Sequence, residues 1–292
     1  MQRLNIIGCG RVGRTLARLW RESGVFEIGD VNDRVPEKSR AAVAFIGAGR
    51  ACSEIGAMRA ADLWLLATPD ARIADCSRDL AAAAALAAGN IVFHCSGALP
   101  SAELSAVAAR GARVAGVHPL KTFAEPAAAA RSFPGTPCAA EGDAPALAVL
   151  RPAFERIGAR VFEIAAPAKT LYHAASVLVC NDLTALIEAG LRTYAAAGIA
   201  REDAIGLMAP LVRETLDNIF ALGPAAALTG PVARGDVEVV RRQLAALAAS
   251  EPAVAEVYRS LGVIAATIAA RQGQAGAAAL AEIESLLKSR SG

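Results

Sequence analysis

At 292 residues the chain is long enough for two domains, each able to bury a core of its own. It is 54% hydrophobic but only 4% aromatic, with alanine making most of the difference, a composition that suits packed helices in an α/β protein. Thirty Lys and Arg stand against 28 Asp and Glu without any block of like charge, so the chain shows no footprint for nucleic acid or an anionic membrane, and a small molecule is the expected partner.

Leu4 to Ile7 is a short apolar run, followed by Gly8, Gly10 and Gly13 and then by Val12, Leu16, Leu19 and Trp20 at helical spacing. That order reads as strand, tight turn, helix. A second extended segment, Val25 to Val31, ends in Asn32-Asp33-Arg34, and Pro36 suits the first turn of the next helix. Leu63 to Ala67, Ile91 to His94 and Arg113 to Val117 are further strands, apolar throughout or nearly so, as expected when helices cover both faces of a parallel sheet. Alanine-rich helices are predicted over 71–88 and 100–110. Pro137 to Ala140 and Arg160 to Ile164 flank a helix near 144–157 and finish the sheet. The prediction for residues 1–166 is therefore a doubly wound, mostly parallel α/β sheet. From Pro167 the strand-like runs stop, and helices are expected over 167–197, 201–221, 234–248 and 252–271, with a last one ending in a polar, frayed tail. Residues 167–292 should form an all-α second domain.

Six cysteines, Cys9, Cys52, Cys76, Cys95, Cys138 and Cys180, form no CxxC pair, which suits reduced thiols and predicts no metal site. The apolar stretch from Leu80 to Phe93, read as the longest, is mainly alanine and is broken by Gly89 and Asn90, so no transmembrane helix is expected. Leu4 leads directly into the glycine turn with no apolar core of a signal peptide, and the expected compartment is the cytoplasm.

The turn Gly8-Cys9-Gly10-Arg11-Val12-Gly13 carries the strongest chemical signal. A pyrophosphate needs backbone N–H groups aimed at it and no side chain in the way, and glycine serves the turn, the contact and the helix–strand crossing. A bare GxGxxG is weak, but a strand before it and a helix after it are the context that gives it meaning: a Rossmann domain holding a nicotinamide dinucleotide. Asp33 lies 20 residues after Gly13, the spacing of an acid that accepts ribose hydroxyls, while Arg34 and Arg11 are placed to accommodate a 2′-phosphate. The balance leans slightly to NADP over NAD. Asn32 and Asp33 could also simply cap the following helix. Thr68-Pro69, after the strand at Leu63, should pass over the cofactor, with Asp70 either capping the next helix or facing the ligand.

The chain holds three histidines, and two sit at the end of predicted strands. His94-Cys95-Ser96-Gly97 would bring Ser96 near the nicotinamide and His94 and Gly97 near the substrate, and His118-Pro119-Leu120-Lys121 would form the neighbouring wall. Each histidine alone could equally be a hydrogen-bonded structural residue. Lys169 and His173 are four apart and share a helix face, a pairing that could bring an ammonium and an imidazole to a carbonyl as proton donor and electrostatic stabiliser. Asn181 lies eight residues beyond His173, about 80° around the helix, and could line the same cleft. Arg234, in Thr229-Gly230-Pro231-Val232-Ala233-Arg234-Gly235-Asp236, could clamp a substrate carboxylate or phosphate, while Asp236 could cap the next helix.

Taken together, the Gly8 to Gly13 turn, His94 to Gly97, His118 to Phe123, Lys169 to His173, Asn181-Asp182 and Thr229 to Asp236 resemble Rossmann-like proteins with a helical C-terminal domain of unknown function. These are similar to pyrroline-carboxylate reductase, ketopantoate reductase and 3-hydroxyacid dehydrogenases. The resemblance implies an NAD(P)-dependent oxidoreductase whose helical domain closes the active site and supplies a homodimer interface. In the hydroxyacid dehydrogenases a catalytic Lys is followed four positions later by Asn, and here that position holds His173, so the resemblance does not name the substrate. The expected reaction is hydride transfer to or from a small carbonyl, imine or hydroxy acid bound between the domains, with Lys169 or His173 handling the proton and Ser96 and His118 placing the substrate. The alternative is a non-catalytic dinucleotide sensor whose helical domain recruits a partner.

Overall fold

The computed structural model describes residues 1–289. The first unit, Met1–Val179, is built on an eight-stranded sheet. β1 (Arg3–Ile7) leads through the glycine turn into α1 (Arg11–Glu22), β2 (Glu27–Asn32), α2 (Pro36–Ile46), β3 (Arg50–Cys52) and β4 (Leu63–Leu66). There follow α3 (Ile73–Ala82), β5 (Ile91–His94), α4 (Ser105–Ala108), β6 (Arg113–Pro119), α5 (Pro126–Arg131), β7 (Pro137–Gly142), α6 (Ala144–Arg156) and β8 (Arg160–Glu163). The strand order is β3-β2-β1-β4-β5-β6-β7-β8, and every pairing is parallel except β6 with β7.

The apolar runs form strands because both of their faces are covered. Leu4, Ile6, Leu63, Leu65 and Phe93 point to one side, where Leu16 and Trp20 of α1 and Leu150 and Phe154 of α6 bury them. Ile7, Trp64, Leu66 and Val92 point to the other side, against Ile73 and Leu80 of α3 and Val107 of α4. Trp20 anchors the first layer: its ring meets Phe26, Phe93 and Phe154 edge-on, and its indole N–H donates to the Ala153 carbonyl at 3.0 Å.

Two predicted helices are shorter than the alanine pattern suggests. The first begins as a 3-10 turn at Asp70–Arg72, and its α-helical part ends at Ala82. Ala83 and Leu86 are buried in the core on that face, and their packing outweighs the small helical preference of the alanines that follow. The second, over 100–110, is a 3-10 turn at Ser101–Leu104 followed by α4, and the Ser101 backbone N–H at its start donates to a distant glutamate. β3, a three-residue strand at the sheet edge, has no counterpart among the predicted elements.

Helix α7 (Lys169–Ala196) follows a 3-10 turn at Ala166–Ala168, and the boundary between the two units falls inside it, after Val179, whereas the sequence pattern changes at Pro167. The second unit adds α8 (Arg201–Leu222), two short helices α9 (Pro224–Ala227) and α10 (Pro231–Arg234), then α11 (Val237–Ser250), α12 (Pro252–Gln272) and α13 (Ala277–Lys288). No strand occurs among its described residues. Residues 290–292, at the end of the expected polar tail, lie outside the described residues. Val240, Ile283 and Leu287 join α11 to α13 with Tyr258 and Val263 of α12 packed against them, and Leu191, Ala204 and Met208 join α7 to α8.

Two helices, Ala166–Ala196 and Pro252–Gln272, are long and apolar enough to cross a membrane by length and composition. The expectation of no transmembrane helix rests on the run at 80–93 and takes in neither of these helices.

Candidate active site

The first feature of the site is the turn between β1 and α1. Gly8 has φ +103°, and a Cβ there would stand 2.6 Å from the Ala67 carbonyl carbon and oxygen. Gly13 is equally confined, since its Cβ would lie 2.6 Å from the Gly8 oxygen and 2.8 Å from the Ala67 Cβ. These two glycines let α1 cross tightly over β1 and β4. Gly10 differs, because the nearest atom to a Cβ there is the Ala67 oxygen at 3.7 Å. Gly10 is also the N-cap of α1 and has no side-chain cap, and no acid occupies the first helical turn. The N–H groups at such a helix start, with no capping side chain and no acid in the first turn, suit an anion.

A cleft of about 660 Å³ opens here, lined by Gly8, Cys9, Gly10 and Arg11, by Asn32, Asp33 and Arg34, and by Thr68 and Pro69. Val12 is half-buried on α1, just past the cleft wall. Cys9 is no nucleophile in this setting: its Sγ donates to the Asn32 carbonyl at 3.3 Å, and burial, with Asp33 adding to it, pushes the thiol up to about 12. Asn32 is buried and its side-chain amide donates to the Cys52 carbonyl at 3.1 Å, so it ties β2 to β3 and does not face the cleft as a free side chain. The Asp33 carboxylate accepts from the backbone N–H groups of Cys9 at 3.2 Å and Val35 at 3.1 Å. It thereby joins the two turns at the cleft floor. The Arg34 and Lys38 side chains, both exposed, line the same cleft and have no partner among the described residues.

The second feature follows from strand register. His94 pairs with Gly116 across β5–β6, and Gly116 pairs with Glu141 across β6–β7, so these three share one face of the sheet, with His118 two residues on. His94 is buried and fully used: Nδ1 accepts from the Ser96 N–H at 3.2 Å, and Nε2 lies 3.2 Å from the Pro100 carbonyl. Burial, together with the Lys169 charge, lowers its pKa to about 4. The ring shapes the loop and keeps no nitrogen for a substrate. Ser96 is also occupied, donating to Asp70 Oδ2 at 2.9 Å and accepting from the N–H groups of Ala98 and Leu99 at 3.2 and 3.0 Å. Its hydroxyl fastens the loop after β5 to the loop after β4. Asp70 is therefore a strut between loops.

Lys169, expected as a proton donor, is fully buried, and its Nζ donates to Glu141 Oε1 at 3.1 Å. Burial lowers its pKa, against the Glu141 charge, which raises it. The groups that remain at the edge are His118, Tyr172 and His173. His118 Nδ1 lies 3.1 Å from the Tyr172 hydroxyl, and its ring stands nearly perpendicular to that of His173 with 5.7 Å between centroids. His173 Nδ1 is buried with no partner. A Cβ on Gly97 would meet His173 Nδ1 at 2.4 Å and His118 Nε2 at 2.9 Å, so only a bare backbone lets the loop lie against both imidazoles.

Lys121 is turned away, donating to the Ser132 carbonyl at 2.9 Å. Asn181 and Arg234 belong to the second unit, where both are exposed. Arg234 pairs with Asp236 at 2.8 Å, and Asp236 makes no side-chain cap bond to α11. Glu141 and Tyr172 were not among the residues the sequence singled out. A lone acid ending the apolar strand Cys138-Ala139-Ala140 was the available signal for the first, and Tyr172 had none beyond lying between Lys169 and His173. Among the described residues, no group of three or more His, Cys, Asp or Glu is placed to hold a metal ion.

Burial, the His173 ring and the Lys169 charge lower the His118 pKa to about 4, so His94 and His118 are both neutral near pH 7. Because the unfolded chain binds these protons near pH 6.5, the stability the two rings contribute is complete above that value and is lost as pH falls towards 4. Nitrogen NMR of a histidine-labelled sample should show two of the three imidazoles titrating near 4, and denaturant midpoints should fall between pH 6.5 and 4. Three rings titrating near 6.5 would contradict this geometry.

Residues 2–119 match a Rossmann-like domain and residues 136–264 match a domain of unknown function, DUF2520. No curated protein matches the chain. Among solved structures, a protein from Thermotoga maritima is 24% identical with a TM-score of 0.73, over 92% of this chain and 99% of that one. A candidate NADP oxidoreductase from Bacteroides fragilis is 20% identical with a TM-score of 0.72, over 89% and 96%. An imine reductase from Myxococcus stipitatus, in complex with NADP+, is 17% identical with a TM-score of 0.66, over 96% and 99%. At these identities the likeness is one of fold. The chain thus carries a Rossmann-like domain over residues 2–119, followed by a region, residues 136–264, that is similar to DUF2520 and runs from β7 into α12.

Proposed function

We propose that the protein is an NAD(P)-dependent reductase or dehydrogenase acting on a small carbonyl, imine or hydroxy acid. The observation that carries this reading is the glycine turn: two glycines with no room for a Cβ set the crossing, and a third, unobstructed, caps α1 at the mouth of the cleft. The nicotinamide, when bound, supplies or accepts the hydride. The chain must handle the proton that goes to or leaves the substrate heteroatom. His173 is the group to hold it, at the buried, unpartnered Nδ1 beside Gly97, with His118 and Tyr172 orienting the substrate. Lys169, bound to Glu141, contributes its field and not its proton. The oxidoreductase and imine reductase of similar fold, described with NADP or NADP+, are consistent with this assignment.

The cofactor is NADP in preference to NAD. Asp33, the residue at the position of a ribose-binding acid, already accepts two backbone N–H groups, whereas Arg34 and Lys38 have free cationic ends at the cleft. The partner is a second copy of the chain seated on α7 and α8. Leu178, Val179, Leu186, Leu207 and Leu211 are exposed there, and 6% of the apolar window of α7 is buried within the chain. Asp182 and Glu188 lie midway along that helix, where a lipid environment would be costly and a protein interface is tolerant.

Oxidation of NADPH and NADH at 340 nm against 2-keto acids, 3-keto acids and cyclic imines tests the activity. Turnover of one class, lost in His173→Ala, is expected; tight cofactor binding with no turnover on any compound would favour the sensor. Arg34→Ala should weaken NADPH binding roughly 10- to 100-fold and leave NADH within about twofold. Equal effects on both would refute the 2′-phosphate assignment. Sedimentation should give the mass of two chains, and Leu178→Arg should halve it; a monomeric wild type, or one recovered only with lipid, would reject the second copy as partner.

A further inference from the structure

Glu141 is the acid at the centre of the first unit that the proposed reaction does not use. Its exposure is nearly nil, and it faces the equally buried Lys169 ammonium. One oxygen accepts from Lys169 Nζ at 3.1 Å and from the Ser101 N–H at 2.9 Å, and the other accepts from the Ser101 hydroxyl at 2.7 Å. Three chain segments therefore end on one carboxylate: β7, the turn that follows the Gly97 loop, and the first turn of α7.

The sheet makes room for this arrangement. Gly116 is the register partner of Glu141, and a Cβ there would lie 2.3 Å from Glu141 Oε1 and 2.5 Å from Lys169 Nζ. A buried ion pair is a poor source of net stability, because desolvation of both charges offsets their attraction, whereas the loss of one partner leaves the other stranded. Its value is in fixing geometry. Lys169 lies three residues before Tyr172 and four before His173, so holding its ammonium sets the rotation of the helical turn that presents both rings to His118. The Ser101 bonds hold the other side, the loop whose Gly97 lies against the two imidazoles.

We infer that Glu141 is a positioning residue, which aligns His118, Tyr172 and His173 by clamping Lys169 and Ser101 from beneath. The inference rests on the reductase reading for its effect on turnover, but its structural half is independent of that reading.

The full chain contains three histidines, so their ring nitrogens can be assigned by single replacements. In Glu141→Gln the nitrogen signals of His118 and His173 should move, with loss of the hydrogen-bond signature at His118 Nδ1, while NADPH affinity stays within about twofold. The rate constant kcat should fall roughly 10- to 100-fold. Ser101→Ala, which removes a single hydroxyl bond, should fold normally and shift the same signals in the same direction by less. Wild-type imidazole spectra in both variants would overturn the inference, as would an equal loss of cofactor affinity and turnover. Shifted spectra in a protein that turns over no substrate would reject the reductase reading and leave the positioning role intact.

Discussion

The structure depends on one crowded crossing. The backbone of the first turn lies so close to the end of β4 that neither Gly8 nor Gly13 could carry a side chain. That approach draws β1 and β4 together at the centre of the sheet, puts the start of α1 over their carboxyl ends and leaves a cleft beside them. The loops after β2 and β4 then become its walls. Nothing in the contacts among the apolar residues demands so tight a turn, since a longer loop would serve the core equally well. The cost in backbone freedom is understandable if an anion must reach the helix N-terminus.

A second edge grows from the same sheet direction. His94, His118 and Glu141 reach one face through the register of β5, β6 and β7, and α7 begins above them. Loop-to-loop fastening between Ser96 and Asp70 ties this edge to the wall of the dinucleotide cleft. Two polar layers result. The deeper one, with Glu141, Lys169, Ser101 and His94, is satisfied and rigid, while the outer one, with His118, Tyr172 and His173, keeps a buried nitrogen without a partner. A network whose interior is complete and whose surface is open is suited to receiving a ligand.

The first domain was legible in the sequence because strands buried on both faces need continuous apolar runs, and the glycine turn carries its own context. β3 was not legible: Arg50-Ala51-Cys52 is short and polar at one end, and its place at the sheet edge depends on pairing with β2. The reversal of β7 against β6 is likewise a matter of connection and not of composition. Side-chain roles were harder to read. His94, Ser96 and Lys169 stand at the right edge of the sheet, but the chemistry of Ser96 and Lys169 is set by partners 26 and 28 residues away, Asp70 and Glu141. Spacing along one helix or strand does not reveal such partners.

If the glycine turn serves to admit a dinucleotide phosphate, Gly10 is the residue whose replacement must show it. Its φ of −67° and the open space around it allow an alanine without backbone strain, so Gly10→Ala should unfold at the wild-type denaturant concentration. Titration calorimetry with NADPH should nevertheless show binding weakened roughly 100-fold or more, because the new methyl occupies the path of the phosphate. Wild-type affinity in a Gly10→Ala protein of wild-type stability would contradict the account.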